Sequence, residues 1–134
     1  MKFFSFWRSL ASFRVRIALN LKKLPVEVVF VDIDSDAHRS DDYRRINPQM
    51  ALPALVEDDG TTFFQSIAIL EYLEEKYSSP PILPSDARGR ARVRALALMV
   101  ACESHPLLTP RVRRYLDREL NLRDEQQTEW RRHW

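Results

Sequence analysis

The sequence predicts an α/β unit followed by an all-helical segment, and three observations carry that prediction. Strand-like and helix-like stretches alternate through residues 1–80, "LPALVEDDGTTFF" reads as a hairpin, and no strand pattern recurs after the Pro-rich "SSPPILPSDARG" (Ser78–Gly89). The boundary is placed in that Pro-rich stretch, giving one domain over residues 1–80 and a helical piece over 81–134.

Each element has a local reason. "KFFSFW" (Lys2–Trp7) is short, aromatic and strand-like. "SFRVRIALNLKK" places Val15, Ala18, Leu19 and Lys22 at helical spacing, with Ile17 and Leu21 expected to widen the apolar face. Pro25 stops it, and the β-branched "VEVVFVDID" (Val26–Asp34) predicts a second strand. A β-α-β order implies a right-handed crossover and a parallel pair. "SDAHRSDDYRRIN" (Ser35–Asn47) is polar, a loop with a short helix. The hairpin turns at Asp58-Asp59-Gly60. "QSIAILEYLEEKY" (Gln65–Tyr77) is an amphipathic helix with Ile69, Tyr72 and Leu73 inward and Glu74 outward. Beyond the boundary, Ser85 is a candidate N-cap for "ARGRARVRALALMVACES". Pro106 and Pro110 interrupt the helical path before "RVRRYLDREL" and "DEQQTEWRRHW".

Charge excludes some functions. The first 80 residues carry 10 Lys/Arg against 12 Asp/Glu and the remainder 11 against 7, for a net charge of only +2. The basic part lacks interleaved aromatics and Gly-rich loops, which argues against nucleic acid. Cys102 is the single cysteine, "MKFFSFWRSL" meets Arg8 before a long apolar core forms, and no run reaches membrane-spanning length. A reducing, cytoplasmic compartment is the expectation. His38, His105 and His133 have no metal-ligand spacing, and Arg88, Arg90, Arg92 and Arg94 spread around a helix rather than forming one stripe.

Three places invite chemistry. "WRSLAS" stands where a strand hands over to a helix, so Ser9 and Ser12 either cap that helix or donate to an anion at its N-terminus. Pro53 precedes a strand as an edge proline, or as a cis X-Pro bond that turns its backbone toward an extended ligand. Gln65-Ser66 opens a helix, as a simple cap or as a carboxylate seat.

Together, "FWRSLASFRVRIALNLK", "NPQMALPALVEDDGTTFFQSIAILEYLEEKY", "ILPSDARGRARVRALAL" and "CESHPLL" resemble the zeta-class glutathione transferases, the family of the maleylacetoacetate and maleylpyruvate isomerases. The resemblance runs through nearly the whole chain, and "RSxxSxRVRIAL" is its most specific part. It implies a thioredoxin-like glutathione-binding domain, then an all-helical domain of which residues 81–134 supply a part. By position it implies that Ser9 hydrogen-bonds the glutathione sulfur, with Ser12 alongside. Leu52 would pair through its backbone before cis Pro53, Gln65 and Ser66 would hold the γ-glutamyl end, and His38 and His105 would make polar contacts. Arg8 and Arg111 match arginines that clamp substrate carboxylates. The implied activity is glutathione-dependent cis–trans isomerisation of a small cis-unsaturated diacid such as maleylacetoacetate, in aromatic amino-acid catabolism, by a cytoplasmic homodimer. Conjugation of glutathione, or glutathione binding without turnover, are the other activities such a chain could carry. Leu10 and Ala11 stand where the family has small or polar residues and often a Cys, and Thr109-Pro110 where it commonly has an Asn-rich pair. With residues 81–134 supplying only part of that helical domain, the apolar side of "ALALMVA" is expected to be exposed or covered by a partner.

Overall fold

Strand β1 (Lys2–Ser5) occupies an inner position of a four-stranded sheet ordered β2-β1-β3-β4 in the computed structural model, which describes all 134 residues. The chain divides into two units, Met1–Pro84 and Ser85–Trp134. In the first, β1 pairs in parallel with β2 (Glu27–Phe30), Lys2 opposite Glu27 and Ser5 opposite Phe30. Parallel neighbours need a crossover, and α1 (Leu10–Leu21) supplies it. On the other side β3 (Ala54–Val56) runs antiparallel to β1 and β4 (Thr62–Phe64) antiparallel to β3. The turn between them closes at Gly60, whose φ of +88° is open to glycine, with Asp59 Oδ1 accepting the Thr61 N–H at 2.9 Å.

The strands are shorter than the sequence pattern suggested. β1 ends at Ser5 rather than Trp7, and β2 covers Glu27–Phe30 rather than Val26–Asp34. β2 is an edge strand whose ladder can run only as far as β1 does. After one last bond, Val31 N–H to Ser5 O at 2.9 Å, the chain turns back through Asp32–Asp36.

The core lies between the sheet and the helices α1 and α3 (Ser66–Lys76), where Phe3, Val15, Ala18, Leu19, Leu55, Ile69 and Leu73 are buried together. Ile17 and Leu21, expected on this face, are instead 44% and 56% exposed. At about 100° per residue the face set by Val15, Ala18, Leu19 and Lys22 leaves those two on the opposite side. On the other face of the sheet α2 (Asp41–Ile46), capped by Ser40, packs Tyr43 against Phe4 with ring centroids 5.9 Å apart. The Tyr43 hydroxyl and Asn47 Nδ2 both donate to Ala51 O at 2.7 Å, tying down the loop that precedes Pro53. Burial pushes the Tyr43 phenol well above its ordinary pKa, so it stays a donor at any working pH.

The second unit is helical throughout: α4 (Ala87–Leu98), a π-helical turn Met99–Ser104, a 3₁₀ turn His105–Leu108, α5 (Pro110–Arg118) and α6 (Asp124–His133). Asp86, not Ser85, caps α4, its carboxylate accepting the Gly89 N–H at 2.9 Å. Pro110 occupies the first turn of α5, where its missing N–H costs nothing. Trp130 Nε1 ties α6 to Leu107 O at 3.0 Å, and Leu116 is buried. Leu96, Leu98, Met99 and Val100 are exposed, the outcome expected for "ALALMVA". No helix is long and apolar enough to cross a membrane.

One buried ion pair departs from the sequence expectation. Glu74, expected to point outward, is buried against Lys22, whose Nζ lies 2.9 Å from its Oε2 with no side-chain exposure. Lys22 spends its other donors on Tyr77 O (2.5 Å) and Pro80 O (2.9 Å), while Glu74 accepts the Ile82 and Leu83 N–H groups at 3.0 and 3.2 Å. The pair thus takes part in five hydrogen bonds that join α1, α3 and residues 77–83. Burial opposes the Glu74 charge, but the Ile82 amide, Lys22 and the Leu83 amide outweigh it and hold the carboxyl below its usual range. Glu74→Gln or Lys22→Met leaves one buried charge alone and should cost about 3–5 kcal/mol in denaturant unfolding. Because the folded pKa of Glu74 is depressed, its contribution is whole above the unfolded value of about 4.3. It should fade as pH falls through the folded value, and the acid limb of a pH–stability profile should flatten in Glu74→Gln.

Candidate active site

The strand pairings bring the sequence's three chemical stretches to one end of the sheet. Phe4 of β1 lies opposite Ala54 of β3, and Ala54 opposite Phe64 of β4. The residues leaving β1 (Ser9), entering β3 (Leu52 and Pro53) and leaving β4 (Gln65 and Ser66) therefore line up side by side. The Leu52–Pro53 bond is cis, the second of the two conformations the sequence left open, and Pro53 is buried. Ser79–Pro80 is also cis, with no signal in the sequence reading.

Ser9 is the N-cap of α1. Its Oγ accepts the Ser12 N–H at 3.1 Å. That bond uses a lone pair and leaves the hydroxyl hydrogen free to be donated, so capping and anion contact are compatible in one serine. Ser12 itself is wholly buried, with no hydrogen bond to its Oγ. What it gives this end of the helix is its backbone N–H. Arg8 forms an exposed ion pair with Asp34 and lies over the Phe6 and Trp7 rings at 5.5 and 5.1 Å. Leu10, beside Ser9, is exposed.

The start of α3 differs from the simple capping reading. Ser66 is the first helical residue, not the cap; the cap is Gln65, at φ 70°, and it makes no side-chain cap bond. A glutamine in the left-handed region is uncommon and carries strain. No acidic residue stands in the first turn, so the α3 N–H groups there have no side-chain acceptor from the cap. The Gln65 amide donates to Gln49 Oε1 at 2.8 Å, and Arg14 Nη1 donates to the buried Ser66 Oγ at 3.1 Å. Gln49 is in turn set by an Asx turn, its N–H bonding Asn47 Oδ1 at 3.0 Å.

His38 follows β2 in the 3₁₀ turn Ala37–Arg39, buried, its Nε2 4.0 Å from Asp36 Oδ1. His105 opens the 3₁₀ turn of the second unit and Arg111 lies exposed in α5. No group of three or more His, Cys, Asp or Glu side chains could hold a metal ion. Sequence reasoning did not single out Gln49, Arg14 or Asp34. Their partners lie 16, 52 and 26 residues away, and only the folded arrangement joins them.

The chain covers 54% of a curated maleylpyruvate isomerase from a Ralstonia species, with 47% identity over 116 residues, or 87% of this chain. Two solved structures superpose on it with TM-scores of 0.95. One is a holo bacterial maleylpyruvate isomerase, a zeta-class glutathione S-transferase (42% identical, 100% of this chain and 63% of that one). The other is a maleylacetoacetate isomerase from Methylobacterium extorquens AM1 with bound malonate and GSH (49% identical, 99% and 62%). The chain thus spans between about half and two thirds of the length of these proteins. Residues 8–76 match the glutathione S-transferase N-terminal domain, more than half of the chain, and the protein belongs to the glutathione S-transferase family.

Proposed function

We propose that the protein binds glutathione at the Ser9–Pro53–Gln65 end of the sheet and catalyses glutathione-dependent cis–trans isomerisation of maleylacetoacetate-type diacids. One observation carries the reading: a hydroxyl with a free hydrogen at the N-terminus of α1, in line with cis Pro53 and the start of α3. Its support is the 49% identity to a maleylacetoacetate isomerase solved with GSH.

When bound, glutathione supplies a sulfur nucleophile that adds reversibly to the activated double bond, so that the bond can rotate before elimination returns the trans isomer. The chain's part is electrostatic. Ser9 donates its O–H to the sulfur and so favours the ionised form; its bond from Ser12 N–H polarises that O–H further. The N-terminus of α1 adds its partial positive charge. Leu52, on the ligand side of the cis bond, pairs through its backbone, while Gln65 and Ser66 hold the γ-glutamyl end. Ser12 is too buried to touch ligand and acts through Ser9. His38 and His105 remain assigned to polar contacts with glutathione. Arg8 is assigned to a carboxylate of the diacid, where charge develops during addition, and Arg111 keeps the substrate-carboxylate role that the family resemblance implies for it. The Arg8–Asp34 pair is exposed, and such pairs are worth about 0–1 kcal/mol, so a substrate carboxylate can displace Asp34 cheaply. The same reading carries cytoplasmic location, homodimeric assembly and a role in aromatic amino-acid breakdown. A glutathione-binding module without turnover is the second reading, and Leu10, bulky and exposed beside Ser9, is what favours it.

Ser9 can be dissected because its two hydrogen bonds use different atoms. Ser9→Ala loses both the cap and the donor: it should unfold about 1 kcal/mol more easily and turn over maleylacetoacetate about 10²–10³ times more slowly. Ser9→Asp keeps a good cap but has no proton to give, so its stability should match the parent while turnover is lost. Equal turnover in Ser9→Ala and the parent would remove the assigned role. Calorimetric glutathione binding without any turnover in the parent would favour the second reading.

A further inference from the structure

We propose that Arg14 is a positioning residue for the start of α3: its hydrogen bond to Ser66 keeps that hydroxyl a donor for the γ-glutamyl carboxylate of glutathione. The inference rests on the glutathione reading above and adds a residue to it.

The chemistry follows from what each group can do. A guanidinium has five N–H donors and no acceptor, so in the 3.1 Å contact Arg14 Nη1 donates and Ser66 Oγ accepts. The Ser66 hydrogen must then go elsewhere. Ser66 is only 5% exposed, so bulk water does not surround it. Ser66 also stands beside the first N–H groups of α3, which are donors with no side-chain cap from Gln65 and no acidic residue in the first turn. Negative charge is what a helix N-terminus ordinarily attracts, and a guanidinium brought there works against the helix's own field. A carboxylate is the group that such a set of donors suits. Arg14 also belongs to α1, the helix capped by Ser9, so it links the sulfur end of the proposed site to the γ-glutamyl end. The two serines are then set alike. Each has its oxygen occupied by a protein donor, Ser12 N–H for Ser9 and Arg14 for Ser66, and each keeps its hydrogen for an anion.

The test compares glutathione with its analogue lacking the γ-glutamyl carboxylate (4-aminobutyryl-cysteinyl-glycine), by calorimetry on the full chain and on Arg14→Met. The parent should prefer glutathione, and Arg14→Met should shrink that preference about tenfold while binding the analogue as the parent does. Equal weakening toward both ligands would mean that Arg14 only supports the fold, and an undiminished preference would mean that it does nothing at this end; either result overturns the proposal. A parent with no preference would instead overturn the γ-glutamyl assignment of Ser66 itself. Should Arg14→Met fail to fold, Arg14→Lys, which retains charge and a donor, should keep most of the preference. The unmodified protein gives an independent reading: the Arg14 guanidinium NMR resonance should move with glutathione and stay put with the analogue, and identical shifts would overturn the proposal.

Discussion

The position of β1 inside the sheet constrains everything that follows in the first unit. Because its backbone groups are shared between β2 on one side and β3 on the other, their lengths and registers cannot be chosen separately. Four residues of ladder fix where β2 stops and where β3 must begin, and β3 in turn fixes where β4 ends. Side-chain chemistry enters only afterwards, on segments whose ends the main chain has already aligned. The helices then lock the arrangement, since α1 and α3 bury Val15, Leu19, Ile69 and Leu73 against Phe3 and Leu55. At about 25 cal/mol per Å² of apolar surface, this burial is the main favourable term holding the frame on which the site is mounted.

What suits that end of the sheet to the anions proposed for it is a matter of direction rather than of net charge. The chain is nearly neutral overall, yet the end where α1 and α3 begin gathers backbone N–H groups, a guanidinium and two serines whose oxygens accept from Ser12 N–H and Arg14, so that their hydroxyl hydrogens are left to be donated. The strain at Gln65 belongs to the same pattern. Its left-handed backbone starts α3 without a side-chain cap, and the amide it frees reaches Gln49 instead. Gln49 is itself held by Asn47, and Asn47 by Ala51, so the loop before Pro53 and the start of α3 are braced together. A site held this way requires little rearrangement to receive a ligand.

Much of this was legible in the residues. The β-α-β start, the Asp-Asp-Gly hairpin and the amphipathic helix after it rest on local periodicity and turn chemistry, and the structure has them. So does the junction at Ser9, since a serine between an apolar strand and a helix is a local signal. The failures share a cause. Ile17 and Leu21 look as apolar as Val15 and Leu19, and only the docking of α1 tells which side is covered. Glu74 reads as a surface residue because its partner lies 52 positions away. Ser85 and Asp86 are both good caps, and the choice depends on one residue of phase. The hydrophobic pattern runs beyond the strand ends at Ser5 and Phe30, because it continues past the point where a pairing partner exists. Local pattern fixes what an element is; where it ends and what it faces are settled by contacts distant in sequence.

The buried lysine and glutamate have an implication for how this sequence can drift. Neither position can change alone without stranding its partner. Nor can both simply become hydrophobic, because the amides of Ile82 and Leu83 and the carbonyls of Tyr77 and Pro80 would lose their only described partners in that pocket. Positions 22 and 74 should therefore behave in descendants as one inherited unit, changing together and only alongside a rerouted segment 77–83.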